Sequence, residues 1–270
     1  MDIDDILASV DHADISNPES TALDHQLLTR FWVAERSVPE LLPWPRRLMD
    51  RMMERVRQQI ETIEDLAAAS SDPSSTTTSA TANQTLTLSI LQTDLSRTQY
   101  LLRSLLRTRL SKLTKHSMHY LLLHSPSANS QSQAQSTNPD SKQQPEDSIP
   151  PLPLTPSETN PLSPLSPSEA EFLHTHQLLL ARHFGTSFLS SFPPRLRRLD
   201  DNAGGTSMVQ GPDKREVVFV RCLAEEVVVL APGDAGEEDV VGGTMRMGDV
   251  WVVRWEGVRR AWERGDVEVL

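Results

Sequence analysis

The segment Ser166-Pro167-Ser168-Glu169 carries the strongest local structural signal in the chain. Serine before a helix, proline at its first position and glutamate at its third form a capping box, in which the serine and glutamate side chains bind free backbone amides. The apolar residues that follow have helical spacing and stop near Gly185. They are Phe172, Leu173, Leu179, Leu180 and Phe184. The segment therefore predicts a helix from about residue 167 to residue 185.

The sequence on the N-terminal side of this helix has the opposite character. Residues 125–165 are of low complexity, rich in Ser, Gln and Pro, and cannot bury enough apolar surface to offset the entropy of ordering. Residues 70–85 are rich in Ser, Thr and Ala and almost uncharged, which is typical of a flexible linker. We therefore expect two disordered insertions within a helical domain that covers residues 20–199.

Three further helices are expected in this domain, at 21–37, 46–66 and 86–123. The first ends at Val38-Pro39, because proline disfavours a helical residue before it. The third could span on the order of 55 Å, which is more than a small domain needs for its own core. Its leucines lie close to one face: Leu88, Leu91, Leu95, Leu102, Leu106 and Leu113.

The same long helix carries many cations, which we expect to be solvated or paired with acidic residues of partner proteins rather than bound to phosphate. They are Arg97, Arg103, Arg107, Arg109, Lys112 and Lys115.

The pattern changes after a linker at residues 200–213. Short β-branched runs at 217–220, 227–230, 250–253 and 267–270 predict strands, so residues 214–270 form a small β-rich domain. The fold class is therefore α+β, a helical domain followed by a β-rich one. About 55 residues is near the lower limit for independent stability, and we expect this domain to lean on another part of the structure.

Composition limits the classes of function. The net charge is -11 and the sequence pI is about 5.2, which gives no general electrostatic reason to bind nucleic acid. The single cysteine, Cys222, excludes an internal disulfide framework and fits a reducing compartment. The N-terminal sequence does not resemble a signal peptide, and the chain lacks an apolar run of the roughly 20 residues that a bilayer requires.

No catalytic or metal-binding motif is evident, and we expect neither a cofactor nor a metal. The glycine pairs lack the spacing and context of a phosphate-binding loop. His174 and His176 lie two apart on a predicted helix and face different directions, whereas His116 and His119 lack nearby acidic or cysteine ligands. Cys222 lies within an apolar strand, where a buried, unreactive thiol is the better interpretation.

The first segment, residues 1–15, is acidic with apolar residues at helical spacing. A helix of this length is marginal in water, so the segment either docks in a groove of a partner or stays a solvated tail. On such a helix Ile3, Ile6, Leu7 and Val10 would share one face, with Asp4 and Asp5 near its N-terminus; the family resemblance given below implies docking by Asp4, Asp5, Ile6, Leu7 and Val10.

Four motifs, some of them made of two or three short strings, resemble in their order along the chain the SLD-five type of GINS subunit. They are Trp32–Leu42 (WVAERSVPELL), Asp94–Tyr100 with Leu110–Leu113, Leu165–Glu169, and the β-region strings Val218–Arg221, Trp251–Trp255 and Gly265–Leu270. Ala34 and Val38 replace the family's usual Asn and Ala. The resemblance assigns family-motif or subunit-packing roles to Trp32, Glu35, Pro39, Glu40, Leu41, Leu42, Arg97, Tyr100, Leu110 and Lys112. It assigns packing of the β-rich domain to Phe219, Arg221, Trp251, Arg254, Trp255, Val267 and Leu270.

This resemblance implies a nuclear, non-catalytic subunit of a heterotetramer with three PSF-type subunits. That assembly joins the CDC-forty-five protein and the MCM hexamer in the replicative helicase and meets DNA only indirectly. The acidic N-terminal segment is similar to the peptide by which fungal members dock onto a trimeric replisome hub. Two alternatives remain, a single-stranded nucleic-acid-binding module that uses Arg97–Lys115 and Arg195–Arg198, and a generic helical adaptor outside replication.

Overall fold

A computed structural model describes residues 18–71, 78–124, 149, 164–193, 197, 209–231 and 241–270. The helices in these ranges are α1 (Pro18–Ser37), α2 (Arg46–Ser71), α3 (Thr78–Lys115), α4 (Ser117–His124), α5 (Pro167–Ser187) and α6 (Trp255–Arg264). The strands are β1 (Val217–Cys222), β2 (Glu226–Ala231), β3 (Val241–Arg246), β4 (Val250–Arg254) and β5 (Val267–Val269). The predicted α+β class is confirmed. No helix in the described ranges combines the length and the apolar character needed to span a membrane.

The capping box forms as predicted. The amide of Glu169 donates to Ser166 Oγ at 3.3 Å, and the amide of Ser166 donates to Glu169 Oε2 at 2.9 Å. Helix α5 continues through Gly185 to Ser187 and is followed by a short 3-10 turn at Leu189–Ser191. The predicted end near Gly185 is therefore two residues too early, because an isolated glycine weakens a helix without having to end it.

The long helix differs from the prediction at both ends. It begins at Thr78, inside the predicted 70–85 linker, because extending an existing helix costs far less than nucleating one. It is interrupted at His116, after which α4 starts at Ser117. The buried Ser117 hydroxyl pairs with the side-chain amide of Gln177 on α5, and this contact accompanies the change of direction.

The structure describes only residues 149, 164 and 165 of the predicted disordered insertion at 125–165, which stays a prediction for the rest. Ile149 packs against a cluster of buried residues that includes Tyr120 and Leu173, and Leu165 is itself buried in that cluster. The rest of this insertion, and the predicted docking segment at 1–15, lie outside the described residues.

The helices enclose a core built around Leu28, Met52 and Leu105. On α3 the residues that face this core include Leu102 and Leu105. Leu105 was not part of the predicted leucine face, so the buried face of α3 is rotated slightly from the predicted one. Leu106, which was grouped with Leu102 and Leu113 on one face, is 45% exposed, whereas Leu102 and Leu113 are buried.

The strands form an antiparallel sheet of order β4-β1-β5 and a separate β2-β3 hairpin. Alternate residues of β1 point inward, so Val218, Val220 and Cys222 are buried. Their core is completed by three residues from α1 and the turn after it, Ala34, Val38 and Leu42. The small β-rich domain therefore does lean on the helical one, as its size predicted.

Alternation along the strands also corrects two predicted core residues. Phe219 and Leu270 were expected to pack the β-rich domain, but they are 58% and 40% exposed. Phe219 lies between the inward-facing Val218 and Val220, so the period of two places its ring on the outer face. Leu270 follows β5 and donates its amide to the carbonyl of Phe219.

Helix α6 approaches strand β2 closely at Gly257. A Cβ at Gly257 would lie 2.9 Å from the carbonyl oxygen of Leu230, which is closer than atoms can pack without a shift of the backbone. We expect Gly257→Ala to destabilise the chain by about 1–3 kcal/mol, because overpacking outweighs the gain in helix propensity. Chemical denaturation would measure this. The control Arg260→Ala, on the exposed face of α6, should change stability little; equal effects would contradict the close approach.

Candidate assembly site

Charged and polar groups from several helices converge on the turn between α1 and α2. This turn, residues 38–45, contains the predicted motif residues Pro39, Glu40, Leu41 and Leu42, and Glu35 lies just before it. Glu35 and Leu42 are fully or almost fully buried. The turn lies against α3, α4 and α6, so it is the place where the two domains meet.

The centre of the site is an ion pair between Glu35 and Arg109, both with no side-chain exposure. Arg109 Nη1 donates to Glu35 Oε2 at 2.9 Å and to the carbonyl oxygen of Leu42 at 2.8 Å. The amide of Leu42 in turn donates to Glu35 Oε2 at 3.3 Å. The pair therefore fixes the path of the chain as it leaves α1.

The same guanidinium holds the start of α5. Arg109 Nε and Nη2 donate to Glu169 Oε1 and Oε2 at 2.7 and 3.0 Å, a bidentate geometry, and Nη2 also donates to the carbonyl oxygen of Pro164 at 3.2 Å. Arg109 Cζ lies 5.1 Å from the ring centroid of Trp44, within range of a cation–π contact. Glu169 thus serves both the capping box and this ion pair.

Lys112 completes the cluster one turn further along α3. Its Nζ donates to Glu35 Oε1 at 2.8 Å, to the carbonyl oxygen of Glu40 at 2.8 Å and to the carbonyl oxygen of Glu35. The expectation that the cations of α3 are solvated or meet partner proteins is therefore wrong for Arg109 and Lys112. It agrees with the exposure of Arg97, Arg103, Arg107 and Lys115.

Burial and pairing act against each other in this cluster. Burial raises the pKa of Glu35, and the nearby charges of Lys112 and Arg109 oppose that rise. Burial lowers the pKa of Lys112, against the charge of Glu35. Burial also acts to lower the pKa of Arg109, but its bonds to Glu169 and the charge of Glu35 outweigh it and the pKa is raised. Removing one member would leave a buried charge without its partner.

Glu40 connects the turn to the β-rich domain. Trp255 Nε1 donates to Glu40 Oε2 at 2.9 Å, and Arg259 Nη1 lies 3.2 Å from the same oxygen. Lys214 Nζ lies 3.3 Å from Oε1. The amide of the next residue, Leu41, donates to the hydroxyl of Tyr120 on α4 at 2.9 Å. Burial raises the pKa of Tyr120 to about 12.

The other predicted residues differ in how exposed their side chains are. Trp32, Pro39, Trp251 and Arg254 are half-buried, and Trp255 and Val267 are buried in the shared core. Arg97, Tyr100, Leu110 and Arg221 are exposed, although Arg221 Nη2 pairs with Glu268 Oε2 at 2.9 Å. The predicted docking residues Asp4, Asp5, Ile6, Leu7 and Val10 lie outside the described part of the chain.

The sequence prediction missed Arg109 as the centre of the site. Its position offered a signal, since Leu105, Arg109 and Leu113 are four apart and share one helix face. A single cation within a leucine stripe indicates a buried charge that needs an acidic partner.

The geometry of the cluster suits holding the helices and the turn together. Each charged group of the cluster is bound by others, and no three His, Cys, Asp or Glu side chains among the described residues are placed to hold a metal ion. Large apolar side chains are instead exposed on the outside of α3, α5 and the sheet. They include Leu86, Ile90, Tyr100, Leu106, Leu110, Leu179, Phe188, Val217, Phe219, Val250 and Val252.

Replacing Arg109 by methionine should destabilise the chain by about 3–5 kcal/mol, because Glu35 and Glu169 would both lose the buried guanidinium that they share. Arg107→Met, on the exposed side of the same helix, should change stability by less than about 0.5 kcal/mol. Chemical denaturation of both variants measures the difference. Equal, small effects would mean that the buried pair does not hold the turn.

Comparison with known proteins identifies the family. Residues 59–188 match the GINS complex protein helical bundle domain, and residues 212–270 match the DNA replication complex GINS protein SLD5 C-terminus. The chain is 33% identical over 271 residues to the DNA replication complex GINS protein SLD5 of Chaetomium globosum, covering 100% of both chains. The proteins of the same name from Yarrowia lipolytica and Schizosaccharomyces pombe are 29% and 28% identical, over 98% and 92% of this chain and 84% and 92% of their own length. The chain therefore belongs to the SLD5 family of DNA replication complex GINS proteins.

Proposed function

We propose that the chain is a non-catalytic, structural subunit of the GINS heterotetramer in the nucleus. In this role it packs against three PSF-type subunits and supports the helicase formed with the CDC-forty-five protein and the MCM hexamer. The helical domain at 20–199 supplies the subunit contacts, and the β-rich domain at 214–270 is joined to it by the linker at 200–213. The observation that carries this proposal is the set of large apolar side chains exposed on helices whose other faces are already packed.

Helix α3 supports the proposal most directly. Leu102, Leu105 and Leu113 are buried on its inner face, whereas Leu106 and Leu110 are 45% and 44% exposed. The last two are four residues apart and therefore form one apolar strip. Burial of such surface stabilises an assembly by roughly 25 cal/mol per Å², and a stable interface buries on the order of 1,600 Å² in total.

A nucleic-acid-binding function is less well supported. The exposed cations of α3 belong to a chain with a net charge of -11, and phosphate binding requires a positive surface. Arg197, in the second basic string, uses its guanidinium to donate to the carbonyl oxygens of Phe192 and Ser190. Arg195 and Arg198 lie outside the described residues. DNA contact through partner subunits is the better proposal. A generic adaptor role outside replication is disfavoured by the names of the relatives.

The N-terminal segment has a separate proposed role, docking onto the trimeric replisome hub. Five aspartates surround the apolar residues Ile6, Leu7 and Val10, and the segment precedes α1 in the sequence. A short amphipathic peptide that orders in a groove of its partner fits this composition.

Assembly tests the packing proposal. Leu106→Glu with Leu110→Glu should reduce co-purification with the three PSF-type subunits at least tenfold, because two charges would be buried in the interface. Gln92→Glu with Ser96→Glu, at the same spacing on exposed positions of α3, is the matched control and should assemble normally. Co-expression and size-exclusion chromatography give the yields. Normal assembly of the leucine variant, with its fold intact by circular dichroism, would refute this interface.

Hub docking is tested within the assembled complex. Replacing Ile6 and Leu7 by alanine should abolish pull-down of the hub while the heterotetramer stays intact, because the segment loses its apolar anchors. Ile15→Ala, in the same region but outside the docking residues, should leave pull-down unchanged. Unaltered hub binding by the Ile6/Leu7 variant would reject the docking assignment.

A further inference from the structure

An open groove lies beside the α1–α2 turn, with Lys112 of the buried cluster in its wall. It has a volume of about 710 Å³ and runs between the C-terminal end of α1, the C-terminal part of α3 and residues 210–216. This volume is within the roughly 300–1,000 Å³ typical of ligand pockets. Most of its lining residues are polar or charged, so charge and hydrogen bonds can contribute to the recognition of an occupant.

Cations that the fold does not use face this groove. Arg36, Arg107 and Lys115 line it and are exposed, and none of them has a hydrogen bond or ion pair with another described residue. Two carboxylates also line it, Asp213 and Glu216. The Asp213 carboxylate already accepts from the amide of Arg215 at 2.9 Å. The free cations are therefore left to an anionic ligand.

An acidic peptide fits the groove better than a nucleic acid. Single-stranded nucleic acid is normally held by aromatic side chains that stack on its bases, in addition to cations. No Phe, Tyr or Trp is among the groove's lining residues in the described part of the chain, and the two carboxylates would repel a phosphate backbone. Isolated carboxylates on a flexible peptide can instead be placed beside single cations.

We propose that this groove holds residues 2–5, the start of the acidic N-terminal segment (residues 2–14) of the same chain. The segment contains Asp2, Asp4, Asp5, Asp11 and Asp14 and has no Lys or Arg. Its charge is complementary to that of the groove. Because it is tethered, it is present at a high effective concentration, which an acidic peptide from another molecule would have to match.

The length of the tether selects which aspartates reach the groove. The groove lies at the C-terminal end of α1, about 27 Å from Pro18 at 1.5 Å per residue. A fully extended chain spans at most about 3.6 Å per residue, so Asp5 reaches about 47 Å from Pro18 and Asp11 only about 25 Å. The first three aspartates can therefore enter the groove, and Asp14 cannot.

One consequence rests on the proposed function. Asp4 and Asp5 are also assigned to hub docking, so the hub must compete with the groove for the same residues. The groove would hold the segment when the hub is absent. Binding of the N-terminal segment in the groove does not depend on the assignment of Asp4 and Asp5 to hub docking.

Zero-length cross-linking tests the inference in the full-length chain within the assembled complex and without the hub. A carbodiimide joins a lysine amine to a carboxylate only when the two are in contact, and mass spectrometry identifies the joined residues. We expect Lys115 to be joined to Asp2, Asp4 or Asp5, and not to Asp14. Replacing Arg36 and Arg107 by glutamate, with Lys115 kept, should lower this yield at least about fivefold, because two attractive charges become repulsive.

The matched control is Arg47→Glu with Arg260→Glu, which makes the same change of charge on exposed positions of α2 and α6 outside the groove. Its cross-link yield should equal that of the unaltered chain. The inference is overturned if Lys115 is joined to no carboxylate of residues 2–5, if it is joined mainly to another subunit, or if both double variants lose the cross-link equally. Because no hub is present, failure of hub docking in the pull-down would leave this result unaffected.

Discussion

Arg109 and Glu35 form an ion pair that is closed to solvent on both sides, between residues 74 apart in the sequence. Two buried charges are stable only when their hydrogen-bonding groups are satisfied, and here Glu169, Lys112 and the backbone of Leu42 supply the partners. The pair therefore has to be built from three helices and a turn at once. Its geometry constrains where α1 ends, where α5 begins and which face of α3 points inward.

The same turn connects this cluster to the β-rich domain. The Glu40 carbonyl accepts from Lys112, and the Glu40 carboxylate accepts from Trp255 on α6. Around these polar contacts, Val38 and Leu42 complete the core beneath β1. A β domain near the lower size limit for independent stability is thus fastened to a helical bundle. A structural subunit needs this rigidity, since the surfaces it presents to its partners must keep their relative positions.

Features formed by residues close together in the sequence could be predicted from it, and features formed by residues far apart could not. The capping box at Ser166 and Glu169 involves neighbouring residues, so sequence spacing was sufficient. The role of Arg109 was missed because its partners are 60 and 74 residues away, and spacing shows only that it shares a face with leucines. The start of α3 at Thr78 was missed because composition describes a segment in isolation, whereas a helix can extend from a stable neighbour. Phe219 was assigned to packing of the β-rich domain through the family resemblance, and the alternation of the strand turns it outward.

Native-state hydrogen exchange on the full-length chain tests most directly whether the turn makes one cooperative unit of the two domains. The experiment compares the backbone amides of Leu105 and Leu113 in α3 with the backbone amides of Val218 and Val220 in β1. All four residues are buried. If the network fastens the domains together, both pairs exchange only through the same global opening and give the same free energy. Exchange of the β1 amides at a much lower free energy than those of α3 would show that the β-rich domain opens alone, and would contradict the fastening role of this turn.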